Sequence, residues 1–362
     1  MGVEVVIGLG VALVAMALAW HWRRRVRPQH ASARVQVAEA QVAPLPTLTV
    51  APRPEAPLVW PNWRPVRAID LPPERQRQLL DTHAALPRPS QLLDQLLSPE
   101  FINQASARQL AELVAGEPLL AARVLKAVNA PFYGLPQPVN SIAQAVTYLG
   151  VTTVRITCLR YIFIAAFKTG DLQRQQAIDR LWQASALASE LMSRAGSALP
   201  LADAGRWSSA VLLSFLGRLA VLASAPTGHL PELSGASPLP RMEAEQRLLG
   251  LCAAELGRLL MTAWGLPVGV VDDALDIEWL LFDGGDGRTD GRTEALAVSA
   301  LCVRLSERAV VGGGPTFDFE TEAAHDIACL RARMGPARRL SVQAWLATPA
   351  VQALLQRGVT SA

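Results

Sequence analysis

A histidine followed by an aspartate can begin a metal site, and residues 325–326 of this 362-residue chain read His-Asp within TEAAHDIACL. Imidazole nitrogen and carboxylate oxygen hold a divalent cation only when further ligands converge on it. The other histidines, His21, His30, His83 and His229, are not spaced to join the pair. His325 and Asp326 are therefore expected on a solvated helix face. The loop DGGDGRTDGRTE, 283–294, runs twelve residues from Asp to Glu like a calcium loop, but glycine stands at its third and fifth places and Arg288 where the turn needs glycine. It reads as an acidic connector. Glu255 with Asp272 or Asp273 would give paired carboxylates for acid and base work. No motif sets a histidine, lysine or cysteine nucleophile beside them, so they are expected as exposed helix charges. Cys158, Cys252, Cys302 and Cys329 form no CxxC pair and sit among apolar neighbours, as reduced core thiols of a cytoplasmic domain would.

From about residue 74 the apolar residues recur with helical spacing, no alternating strand pattern appears, and the class is all-α. SARQLAELVAG opens on Ser106 as a cap and ends at Gly116, and EPLLAARVLKAVNA puts Pro118 in a first turn, where its missing N–H does no harm. Between helical runs lies NAPFYGLPQPVNSIAQAVTYLG, 129–150. Ser141 and Gln144 have capping-box spacing. Ile142, Ala145, Val146 and Leu149 make one buried stripe, and Gly150 can adopt the left-handed ending. Pro131, Gly134, Pro136 and Pro138 fix a tight connection that Phe132 and Tyr133 can anchor on the core. Asn129, Phe132, Tyr133, Gly134 and Ser141 are thus candidates either for holding the turn or for touching a partner. Turn-holding already accounts for Asn129, Tyr133 and Ser141.

Residues 3–20, VEVVIGLGVALVAMALAW, are apolar apart from Glu4 and reach roughly 27 Å as a helix, close to the ~30 Å of a bilayer core. Arg23, Arg24, Arg25 and Arg27 follow, which holds the C-terminal side in the cytoplasm and predicts an uncleaved anchor rather than a signal peptide. Residues 21–73 form a basic stop and a linker with ten prolines between 28 and 73. Trp60 and Trp63 within it can dock either on the membrane interface or on the domain. Four arginines and one glutamate fall in residues 1–27, so of 34 basic and 31 acidic residues the remainder carries 30 of each. No nucleic-acid binding is expected from that balance. The run RARMGPARR is assigned to solvated helix ends.

The strings LPRPSQLLDQLL, AGEPLLAARVLKAVNAPFYGLPQPVNSIAQAVTYLGVTTVR, LWQASALAS, SSAVLLSFLGRLAVL and LGRLLMTAWGLP resemble, in order and spacing, the HDOD domain, the HD-related output domain of bacterial signalling proteins. The resemblance covers 82–282 and implies a two-lobed helical fold related to the HD phosphohydrolases, here taken as 74–335 with a helical tail at 336–362. It also marks where relatives keep metal ligands. The W-x-H-S position reads Trp182, Gln183, Ala184, Ser185, and LLHDIG becomes LLSFLG with Ser214 and Phe215. The D-H-A-E position reads Cys252, Ala253, Ala254, Glu255, and a common histidine pair past WGLP is replaced by Ile277 and Glu278. Ala184, Ser214, Phe215 and Ala253 are vacated metal positions, and Phe215 is expected to fill the centre and turn it into packed core.

The apolar segment and its arginines predict a single-pass protein of the inner membrane, the vacated positions predict no cofactor or catalysis, and the resemblance implies a bacterial cytoplasmic domain that binds signalling proteins. An alternative is a receptor for a small anionic ligand such as a cyclic dinucleotide, with Arg123, Arg155 and Arg160 as phosphate contacts. A residual metal-dependent phosphodiesterase is the remaining option.

Overall fold

The computed structural model describes residues 63–83, 92–115, 117–130, 134–167, 169–235, 237–282, 290–313, 317–319, 321–322 and 324–360. The segment 3–20, most of the linker, Phe132, Tyr133 and residues 283–289 lie outside them. Among the described residues there is no strand, and the chain is all-α as expected. The helices are α1 (Pro73–Thr82), α2 (Leu92–Leu97), α3 (Pro99–Gln104), α4 (Ala107–Ala115), α5 (Pro118–Val128), α6 (Ile142–Ala166), α7 (Leu172–Ala198), α8 (Ala204–Ser214) and α9 (Leu216–Ser224). They continue with α10 (Leu230–Leu233), α11 (Pro238–Leu249), α12 (Ala253–Ala263), α13 (Val268–Trp279), α14 (Gly291–Val310), α15 (His325–Ala332), α16 (Pro336–Leu346) and α17 (Pro349–Thr360).

Several helix starts are capped by polar side chains. Ser106 and Gln109 cap reciprocally: Gln109 N–H donates to Ser106 Oγ at 3.2 Å and Ser106 N–H to Gln109 Oε1 at 2.8 Å. Asp171 and Asp290 accept from the N–H three residues on, at 3.0 and 2.7 Å. Arg174 donates to the carbonyls of Leu222, Ala223 and Ala225 at 2.7–2.9 Å, which places a cation at the C-terminal end of α9 and ties α7 to it.

The helices fall into two groups that share a core. In the first, α4 and α5 pack on α6; in the second, α7 packs on α8 and α14, α9 on α12, and α8 on α13. Helix α6 touches α7 and α8, and one apolar cluster runs from Leu92 to Leu355. The helices α16 and α17 belong to it through Val342, Trp345, Leu346, Val351, Leu354 and Leu355. Two helical stretches, 142–162 and 204–224, are long and apolar enough to cross a membrane, but 50% and 89% of their apolar windows are buried here as core. At the other end, Trp63 packs edge-on to Phe282 at 5.2 Å, and the N–H groups of Val66 and Ala68 donate to Gln246 Oε1 and Glu255 Oε2 at 2.6 and 2.7 Å. Residues 63–71 are thus laid along the bundle, and Trp63 docks on the domain.

Candidate functional site

The vacated positions come from separate parts of the second group. Helix α7 carries Ala184, the α8–α9 junction carries Ser214 and Phe215, and the first turn of α12 carries Ala253. Helices α9 and α12 meet at backbone distance because Gly217 has no side chain: a Cβ there would stand 1.7 Å from the Ala253 carbonyl oxygen and 2.8 Å from Gly257 N. All four positions are buried, and the Ser214 hydroxyl donates to the Val211 carbonyl at 2.8 Å within its own helix.

The centre they surround is charged. Arg218 of α9 pairs with Glu307 of α14 and lies over the Phe215 ring, 5.7 Å from its centroid. Arg241 of α11 faces Glu245 at 3.3 Å, Glu307 at 3.6 Å and Glu278 of α13 at 3.7 Å. The Ala253 N–H donates to Glu245 Oε2 at 2.8 Å. All five of these charged side chains are buried. Ala184 shares with Arg218, Glu307, Leu181, Leu222 and Val310 a cavity of about 340 Å³. Phe215 is buried as expected, but the packed core expected at the centre is corrected: two guanidiniums and three carboxylates lie there. Buried charges persist only beside counter-charges: each of the three carboxylates faces an arginine, and three carboxylates to two guanidiniums leave one negative charge over. Burial, with Arg241 alongside, pushes the Arg218 guanidinium down to about 9. Burial raises the Glu245 carboxyl to about 7 against the opposing pull of Arg241.

These residues do not fit a catalytic metal. Ala184, Phe215 and Ala253 offer no donor, Ser214 is engaged, and the carboxylates at the centre already face arginines. Among the described residues no three His, Cys, Asp or Glu side chains are grouped to share an ion.

Several sequence expectations change here. Asp326 is buried and paired with Arg304, while His325 is half-buried with Nε2 3.3 Å from Cys329 Sγ, so the aspartate faces the bundle and not solvent. Glu255 and Asp273 are 0% and 1% exposed. Glu255 accepts from Ala68 N–H and from Trp279 Nε1 at 2.8 Å, whereas Asp273 takes Arg206 Nη2 at 2.8 Å and Arg292 at 3.2 Å. Each carboxylate is buried because it has donors and a cation, and neither faces the other as acid and base would. Three of the four arginines of RARMGPARR are engaged within the protein too. Arg331 donates to the Glu322 carbonyl at 2.9 Å, Arg333 to that of Cys329 at 3.1 Å, and Arg338 to Glu294 at 2.8 Å. All four cysteines are free and buried, as expected, and burial raises their thiols, Cys329 to about 11 and Cys158 to about 12.

Comparison with known proteins now bears on this helical frame. A family model of the HDOD domain matches residues 86–277, more than half of the chain. The chain belongs to the HDOD family. Three solved structures share its fold: an HDOD domain protein of unknown function from Geobacter sulfurreducens (TM-score 0.52, 18% identity, 79% of this chain and 98% of that one); a Shewanella amazonensis SB2B protein assigned as a phosphohydrolase (0.51, 18%, 78% and 97%); and a Marinobacter aquaeolei VT8 protein assigned to signal transduction (0.51, 22%, 78% and 60%). No curated protein matches the sequence.

In this HDOD chain the 129–141 turn is built by Asn129. Its side chain donates to the carbonyls of Leu125 and Val139 at 2.9 and 2.8 Å and accepts from Val139 N–H at 2.6 Å. Gly134 has φ +58°. Ser141 Oγ accepts from Gln144 N–H at 3.1 Å, while Gln144 reaches back one residue further, to Asn140 N–H at 2.9 Å. Of the three expected phosphate contacts, Arg155 is committed inside the protein. Arg155 is 1% exposed, donates to the carbonyls of Leu96 and Gly205 at 3.2 and 2.8 Å, and is held down to about 10 by burial, so it joins α6 to α2 and α8. The HDOD motifs contain no hint of Arg241, Glu245 or Glu307. A signal was nonetheless present: Arg218 is the one charge in the apolar run SSAVLLSFLGRLAVL, and such a charge requires a buried partner.

Proposed function

We propose that this chain is a membrane-anchored, non-catalytic HDOD module of bacterial signalling that acts by contact with partner proteins. The observation that carries the reading is the content of the vacated positions, where alanine, phenylalanine and an engaged serine stand in place of metal donors. The apolar segment 3–20 followed by Arg23–Arg25 and Arg27 supports an inner-membrane anchor with the domain in the cytoplasm. The assignment of the Marinobacter relative to signal transduction supports the setting, and an anchor raises the local concentration of membrane-bound partners. The turn residues Phe132 and Tyr133 are offered as the contact surface.

The full chain in detergent is assayed with bis-p-nitrophenyl phosphate and with cyclic dinucleotides in the presence of manganese, iron or zinc. The expected result is no turnover and no stoichiometric metal after dialysis; metal-dependent turnover abolished by Arg218→Ala overturns the reading. Crosslinking in membranes, wild type against Tyr133→Ala, tests the contact surface. Partner capture that survives Tyr133→Ala unchanged removes that surface from the proposal.

A further inference from the structure

Five arginines from distant parts of the chain face one cavity of about 490 Å³, and none is at a vacated metal position. Arg64 and Arg67 come from the segment before α1, Arg258 from α12, Arg292 from the first turn of α14, and Arg333 from just beyond α15; Trp279 and Asp276 of α13 complete that wall. Converging like charges repel, so their partners decide what the cavity attracts. Arg258 lies 3.7 Å from Glu255 and 3.6 Å from Asp272. Arg292 lies 2.7 Å from Asp276 and 3.2 Å from Asp273. Arg333 is buried and bonded to the Cys329 carbonyl. Arg64 donates to the Phe282 carbonyl, and Arg67 lies over the Trp279 ring at 5.5 Å. Neither of these two has a carboxylate within ion-pair distance among the described residues, and both are exposed at the rim.

We infer that this cavity binds a small soluble molecule carrying a diphosphate group. The two guanidiniums that meet no carboxylate among the described residues present planar donor forks that match phosphate oxygens, and two forks are used in full by two linked phosphoryl groups, one fork to each. The volume lies within the roughly 300–1,000 Å³ of small-molecule sites, enough for a nucleoside diphosphate as well as for inorganic pyrophosphate. A bound diphosphate would bridge Arg64 and Arg67 to Arg258 and Arg292, and so fasten residues 63–71 to the bundle. The site goes beyond the partner-contact reading and does not depend on it. It also stands apart from Arg123, Arg155 and Arg160.

Titration calorimetry of the full chain in detergent, at fixed ionic strength, uses inorganic pyrophosphate, ADP and orthophosphate as separate probes. Pyrophosphate or ADP is expected to bind, more tightly than orthophosphate, and the ranking of the first two identifies the inorganic or the nucleoside source. Arg67→Ala is expected to weaken binding by roughly tenfold or more, the loss of one charge-assisted contact, with an unchanged melting temperature because the side chain is exposed. Arg67→Lys, which keeps the charge but loses the fork, should also weaken it; Arg180→Ala, in the other cavity, should not. Amide hydrogen exchange across residues 66–71 is expected to slow when the probe binds. Absence of heat with both diphosphate probes, orthophosphate binding as tightly, or unchanged affinity in Arg67→Ala each overturns the assignment. None of these results alters the turnover assay, so the two readings fail separately.

Discussion

Glu245→Gln isolates the electrostatics of the buried centre. Glu245 faces Arg241 at 3.3 Å, accepts from the Ala253 N–H at 2.8 Å, and has Glu278, Arg218 and Glu307 around the same arginine cluster. Its folded pKa of about 7 stands above the ordinary carboxylate value of 4.5. The folded state therefore holds a proton that the unfolded state releases, and this group's contribution is fully present below pH 4.5 and lost as pH rises through 7. The difference corresponds to at most about 3 kcal/mol. Glutamine keeps an acceptor for Ala253 N–H and removes the titration. Urea unfolding of both proteins at pH 5, 6, 7 and 8 in the same detergent should give similar stability at pH 5 and a growing advantage for Glu245→Gln up to pH 8. Parallel curves across that range would refute the argument that desolvation outweighs the Arg241 attraction.

Gly217→Ala should destabilise by about 3 kcal/mol or more, because its Cβ would meet backbone of α12 that cannot yield; differential scanning calorimetry reads the loss. Asn129→Ala removes three hydrogen bonds that close the 129–139 connection, and a loss of about 1–3 kcal/mol in chemical denaturation is expected, larger than the roughly 1 kcal/mol for the exposed cap change Ser141→Ala. Cys158, Cys252, Cys302 and Cys329 are buried with raised thiols and should resist iodoacetamide at pH 8 in the folded protein; mass spectrometry should show alkylation only after denaturant is added.

Local patterns in the sequence were read correctly where their cause is local. The caps Ser106 and Ser141 and the stripe of Ile142, Ala145 and Val146, with Leu149 only partly buried at its end, involve neighbours within one or two helical turns, so spacing alone specifies them. At Ala184, Phe215 and Ala253 residue type alone decides that the side chain donates to no metal, because alanine and phenylalanine carry no ligand atom in any conformation. Charge was misread. Glu255, Asp273 and Asp326 were expected in solvent from the average behaviour of carboxylates, and each is buried against an arginine or donor from another element.

The sequence by itself determined the helical class, the starts of several helices and the absence of donor side chains at Ala184, Phe215 and Ala253, because these depend on residue type and on spacing of a few residues. Only the tertiary structure decided that Arg218 meets Glu307, that Glu245 sits beside Arg241, and that Arg64 and Arg67 join Arg258, Arg292 and Arg333 around one cavity. A buried charge is stable only beside its counter-charge, and which helix supplies that counter-charge is set by packing between segments far apart in the chain.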